Sequence, residues 1–200
     1  YNKHASLEGM DEQESTASPA AEIPARLAHR TRFAGLYFLL HVLRHMGIEQ
    51  ALQANASLVL THFASRVLLR LAAAAGVAAD DPVLLPLLED VAEQKGPPTD
   101  PLVVPASLPR LHRLRPNPEV TERLWAVAVR RWCHKHAHVR MDEVVARQGR
   151  IYATPTDIDV TMPMSVVDIR IRRCGLDLDP GYVPWFGRVI HFHYHTEPQP

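Results

Sequence analysis

Cysteine is nearly absent from this chain. Cys133 and Cys174 are the only two, which excludes a framework of several disulfides, and no CxxC pair offers the spacing of a zinc or redox site. Both are expected to be reduced. Long apolar runs are missing as well. The most apolar window, FAGLYFLLHVL at 33–43, falls well short of the roughly 20 residues a bilayer span needs, so it reads as a buried core helix. Neither charge is in surplus, because 22 Lys and Arg balance 22 Asp and Glu. Net charge therefore favours neither nucleic acid nor an anionic membrane surface. The N-terminal YNKHASLEGMDEQESTASPAAE has no apolar stretch of the signal-peptide kind, and the cytoplasm is the expected compartment. Residue 1 is Tyr1 rather than Met, as in a processed chain or one piece of a longer product.

Catalytic motifs are missing too. There is no GxxxxGKS/T loop, no GxGxxG after a strand, no GxSxG elbow and no HExxH pair. Cys133 next to His134 is not a catalytic dyad, since adjacent helix residues point in different directions. No enzyme class is indicated and no cofactor is implied.

What is present is an ordinary globular composition, 46% hydrophobic and 22% charged over 200 residues, with enough chain to bury a real core. Twelve histidines would turn the chain cationic below about pH 6.5, and seventeen prolines mark many element boundaries. Residues 1–25 read as a flexible leader, and 26–200 as a single domain. A helix is expected from Thr31 as N-cap to Met46, with Gly47 in the left-handed conformation at its end. Phe33, Leu36, Tyr37, Leu40, Leu43 and Met46 form one apolar stripe, and Leu39 and Val42 make the opposite side apolar too. Such a helix should lie at the centre of the fold. A second helix reads from Ser57 to Ala75, closed by Gly76. A shorter one follows over Asp81–Glu93, with Pro82 suited to its first turn and Pro86 making its start irregular.

Seven prolines between 96 and 118 exclude a regular helix or central strand there, which leaves a linker or an extended arm. Asn117 then caps a helix that opens with Pro118 and runs to about His138, with Leu124, Val127, Ala128 and Trp132 facing inward. A short amphipathic turn, Met141–Arg147, ends at Gly149.

Beyond Gly149 the period changes from near four to two. Three half-buried strands are expected at 150–162, 166–173 and 188–195. A hairpin with Pro163–Val166 as its loop would set Asp159 against Arg170 and Asp157 against Arg172, with Ile158 and Val160 facing Ile171 and Ile169. The fold class that follows is α+β: a helical N-terminal half on a small C-terminal antiparallel sheet of about three strands.

Few residues stand out chemically. His191, His193 and His195 alternate along the last strand, so two of them could share a metal ion if a third ligand came from elsewhere. A metal-binding protein or metal-dependent hydrolase is therefore the alternative reading. His134, His136 and His138 lie at a helix end, where imidazoles favour the dipole without any metal. Asp177 and Asp179 read more simply as turn residues before Pro180–Gly181 than as a cation loop. Tyr182, Trp185 and Phe186 cluster between strands as candidate protein-contact residues, and an open edge strand could pair with another chain.

Two segments taken together, TRFAGLYFLLHVLRHMGIEQAL (Thr31–Leu52) and RIYATPTDIDVTMPMSVVDIRIRRCGLDLDPGYVPWFGRVIHFHY (Arg150–Tyr194), resemble an uncharacterised family encoded in gene clusters of extracellular contractile injection systems, the phage-tail-like particles of bacteria. The AGL opening of the apolar helix is similar to a motif in the tape-measure proteins of those clusters. The resemblance covers about half the chain, in apolar and turn positions, and carries no catalytic residue across. It implies a non-enzymatic structural or assembly component whose partners are other protein subunits, located in the cytoplasm or in a released extracellular particle. The histidine runs and the proline-rich stretch lie outside the resembling pattern.

Overall fold

A computed structural model describes residues 28–93, 103–105 and 118–196. The expected leader, and most of the proline-rich arm, lie outside those residues. The chain forms β1 (His29–Thr31), a 3-10 turn (Ala34–Phe38), α1 (Leu39–His45), α2 (Ile48–Ala54), α3 (Ala56–Leu60) and α4 (Phe63–Ala74). A second 3-10 turn (Pro82–Leu84), α5 (Leu85–Ala92), α6 (Pro118–Trp132), a π turn (Cys133–Ala137) and α7 (Met141–Val145) follow. The last part holds β2 (Gly149–Ala153), β3 (Asp157–Pro163), a short turn (Met164–Val166), α8 (Ile169–Arg173), β4 (Gly181–Val183) and β5 (Arg188–His195).

The class is α+β, but the sheet is larger than expected and mixed. Its five strands run in the order β1-β2-β3-β5-β4, with β3 and β5 parallel and the other neighbours antiparallel. The single strand expected over 150–162 is in fact the hairpin β2–β3, folded at Thr154-Pro155-Thr156. Thr154 Oγ1 accepts from the Asp157 amide at 2.9 Å, a local bond that closes a turn where Pro155 has no amide to give to a ladder.

The strand expected at 166–173 does not form. Asp168 Oδ1 accepts from the Arg170 amide at 2.9 Å and caps α8, which takes up Ile169–Arg173. Only Ile171 of that helix is buried, and Ile169 is 67% exposed, so the apolar alternation seen in the sequence is not used as a sheet face. The Asp168 carboxyl is held down to about 2, chiefly by its side-chain hydrogen bond with Arg170. With α8 in the connection, the chain crosses over and returns beside β3 in parallel, as parallel neighbours require. The expected ion pairs change accordingly. Asp159 meets His193 on β5 at 2.7 Å, while Arg170 turns back to Asp168 and Arg172 reaches Asp177, each at 2.8 Å.

The expected central helix is present in a different form. Thr31 ends β1 rather than capping a helix, and its hydroxyl donates to Asp81 at 2.7 Å and accepts from the Phe33 amide at 3.0 Å. The 3-10 turn then leads into α1, and Ala34 through Leu40 are all buried. Gly47 and Gly76 are left-handed as expected, with φ of 82° and 80°. The helix expected over Ser57–Ala75 breaks between Thr61 and His62. There Thr61 Oγ1 bonds back to the Ser57 carbonyl at 3.0 Å, and His62 takes φ 49° with its ring 3.1 Å from Asp90. Asp81 caps the next turn by accepting from the Val83 amide at 2.9 Å, with Pro82 in the first helical position. On α6 the inward residues are Trp125, Ala128 and Val129, whereas Val127 is exposed, so the expected stripe was rotated by about one residue. Trp125 Nε1 donates to the Val103 carbonyl at 3.0 Å, which lays that piece of the arm over the core.

One continuous apolar cluster joins helices and sheet. Each large aliphatic side chain removed from water there contributes about 1.5–3 kcal/mol. The 3-10 turn is its tightest place. A Cβ on Gly35 would lie 2.1 Å from the Val144 carbonyl oxygen, so α7 can approach only because residue 35 has no side chain. Gly35→Ala is expected to lower stability by about 1–3 kcal/mol, measured as a fall in urea midpoint at unchanged slope. His138 is exposed and holds φ 53° after the π turn. His138→Gly, which relieves that left-handed strain, is expected to stabilise by up to about 1 kcal/mol, and His138→Val to destabilise in the same assay.

Candidate interaction surface

The loop between α8 and β4 is held against α1 through its backbone. His41 Nε2 lies 2.7 Å from the Leu178 carbonyl, which can only accept, so the imidazole donates there. Arg44 donates to the Pro180 and Tyr182 carbonyls at 2.8 and 3.1 Å and pairs with Glu49 at 3.0 Å. From the other side, Asp179 Oδ1 accepts from the Phe192 amide at 2.6 Å, and Tyr194 donates to the Asp177 carbonyl at 3.1 Å. The turn expected at Asp179–Pro180–Gly181 does not form: the chain turns earlier, over 174–177, Asp179 and Pro180 run irregularly between α1 and β5, and Gly181 already pairs with Ile190 as the first residue of β4. The His41 and Arg44 bonds join the segment Thr31–Leu52 to the segment Arg150–Tyr194.

Just past the clasped loop, β4 and the turn that leads into β5 present the three candidate aromatic residues in different ways. Tyr182 is 59% exposed on the edge strand β4, whereas Phe186 is buried under the Arg188 guanidinium at 5.5 Å. Trp185 is half-buried, with its Nε1 enclosed and without a hydrogen-bond partner. Phe186 therefore closes the core, while Tyr182 and part of Trp185 face outward. Trp185 and Pro184 form one wall of a hollow of about 270 Å³, and Leu52, Val59, Glu49 and Gln53 form the rest. Leu60, the next residue on α3 after Val59, is 74% exposed. The hollow is smaller than the roughly 300–1,000 Å³ of small-molecule sites and matches one or two apolar side chains. The spacing of Leu60 with Phe63, Val67, Leu71 and Ala74 places it on the apolar stripe of one helix over Ser57–Ala75, whereas the structure leaves Leu60 in water; Val59 and Pro184 carry no sign of exposure in the sequence. The one available signal was the Thr61–His62 break, which turns the end of α3 away from the core.

The histidines of β5 share the outer face of the sheet, but each looks to its own aspartate. His193 is 2.7 Å from Asp159, His191 is 3.5 Å from Asp179, and their ring centroids are 6.1 Å apart. His195 is exposed at the strand end. His134, His136 and His138 are exposed beside the π turn. Trp132 stacks between His45 and His136, at 5.3 and 5.1 Å. Burial pushes the Cys133 thiol up to about 12, so it is a core residue rather than a nucleophile. Among the described residues, no group of three or more His, Cys, Asp or Glu is placed to hold a metal ion. No helix among them is long and apolar enough to cross a membrane.

Compared with family models, curated proteins and solved structures, the chain matches none.

Burial lowers the proton affinity of His41, against the smaller opposing effect of its bond to Leu178. The folded state thus takes up this proton at lower pH than the unfolded chain, whose histidine titrates near about 6.5. Stability present at neutral pH is lost as pH falls below that value. Between pH 7.5 and 5.5 the urea midpoint is expected to fall less steeply in His41→Gln, which cannot titrate, than in the parent chain. Equal slopes would show that His41 is not desolvated in the fold.

Proposed function

We propose that this chain is a non-enzymatic structural or assembly component of a phage-tail-like contractile injection system and acts through contacts with other protein subunits. The observation that carries the protein-contact reading is the surface around Trp185. A hollow of side-chain size is rimmed by Pro184, Trp185 and Val59, and Leu60 stands beside Val59 on the same helix, largely in water. Aromatic residues set beside such hollows are frequent anchors of protein interfaces. The assignment to this kind of particle rests on the family resemblance of Thr31–Leu52 and Arg150–Tyr194. His41 and Arg44 hold the Leu178, Pro180 and Tyr182 carbonyls, and Gly35 lets α7 approach the start of the same apolar segment. No reactive group is needed to explain the resemblance.

The test is co-sedimentation of the full chain with assembled particles from a host carrying the gene cluster. The parent chain is expected to sediment with the particles, or with a subassembly of them. Leu60→Asp, at an exposed position, is expected to reduce that association about tenfold while leaving the unfolding midpoint within about 0.5 kcal/mol of the parent. Particles that assemble and fire normally without this chain, and never carry it, would overturn the proposal.

A further inference from the structure

One end of the sheet is unusually basic. Arg30 on β1 stands directly opposite Arg150 on β2. These two, with Arg32, His195, Gln148 and Asp81, border an open cleft of about 640 Å³. All three arginines and His195 are exposed, and among the described residues none of the three guanidiniums has a carboxylate within 4.0 Å. Asp81 is the one carboxylate among these bordering residues; its Oδ1 accepts from the Thr31 hydroxyl at 2.7 Å and the Val83 amide at 2.9 Å, and its single charge leaves the cleft with a surplus of positive charge. Like charges facing each other across antiparallel strands weaken the pairing. An anion between Arg30 and Arg150 reverses that effect.

The geometry points to an acidic segment of a partner protein as the anion: we infer that this cleft binds a stretch of chain carrying at least two carboxylates. It rests on the reading that the protein works through protein contacts and names the chemistry of one partner. The charges come from two strands and the bend after the first: Arg30 and Arg150 face each other, their Cα atoms about 5 Å apart as in paired strands, and Arg32 follows the end of β1. Three guanidiniums bordering one cleft suit more than one carboxylate of a passing chain, each taken in a two-bond fork. A lone phosphate would be better served by guanidiniums meeting in a closed pocket. The cleft is open, which admits a chain passing through it.

Fluorescence anisotropy of the full chain with a labelled Thr-Glu-Val-Glu-Val-Glu-Thr peptide tests this, with the Gln-for-Glu peptide as control. At about 50 mM salt the Glu peptide is expected to bind about tenfold more tightly than the Gln peptide, and the gap should narrow at about 300 mM as charges are screened. Arg30→Glu with Arg150→Glu should abolish the preference. Arg150→Gln should weaken it while raising the unfolding midpoint, since it also removes the opposed charge. Leu60→Asp should leave peptide binding unchanged, so failure here and failure of particle association are separable. Equal affinity for the two peptides, or a preference that survives the arginine substitutions, would mean that these charges merely guard a sheet edge and would overturn the inference. Displacement of the Glu peptide by about 1 mM inorganic phosphate at constant ionic strength would assign the cleft to phosphate and overturn it as well.

Discussion

The fold depends on one constraint: the segment from Ala34 to Leu40 is buried on every side. A helical stretch with no solvated face must be enclosed, and each part of the protein supplies a wall. The sheet covers it through Ile151, Val160 and Phe192, with Phe192 meeting Phe38 edge-on at 5.0 Å. On the α7 side the contact is close enough to exclude a methyl group at residue 35. Arg147 reinforces that seam. Its carbonyl accepts from the Ala34 amide at 2.8 Å, while its guanidinium reaches the Val166 carbonyl at 3.1 Å and Asp168 at 3.3 Å. The start of the crossover to β5 is thereby tied to the same centre.

This arrangement separates the interior from the working surface. Residues of the AGL opening, the Asp-Pro-Gly stretch that leads into β4 and the alternating strands serve enclosure and pairing. The features left for recognition are the rim of the Trp185 hollow and the basic end of the sheet, which lie on different elements and offer different chemistry. One is apolar and of side-chain size; the other is open and cationic.

Much of the architecture was legible in the sequence because periodicity and turn chemistry are local. The apolar window at 33–43, the left-handed Gly47 and Gly76, the Asp81–Pro82 helix start and the two long runs of alternation all correspond to real features. The errors share a cause. VVDIRIRR alternates like a strand, yet Asp168 caps a helix there, and a cap bond of about 1 kcal/mol outweighs an alternation that finds no sheet to join. The 150–162 run was read as one strand because its alternation continues through Thr154-Pro155-Thr156, where the Thr154 hydroxyl closes a turn. The aromatic residues Tyr182, Trp185 and Phe186 were visible as a cluster, but their division between core and surface was not, since it depends on which side of β4 meets α1.

Chain order and residue type were sufficient to determine the α+β class, the central apolar segment and the outward alternation of His191, His193 and His195. Tertiary structure decided which strand lies beside which, that β3 and β5 run parallel, and that Arg30 faces Arg150 although 119 residues separate them in the chain. The reason is physical. Local bonds form between groups a few residues apart, whatever the rest of the chain does. Strand partnership and the meeting of like charges depend on distant segments competing for the same neighbours, and only the folded packing resolves that competition.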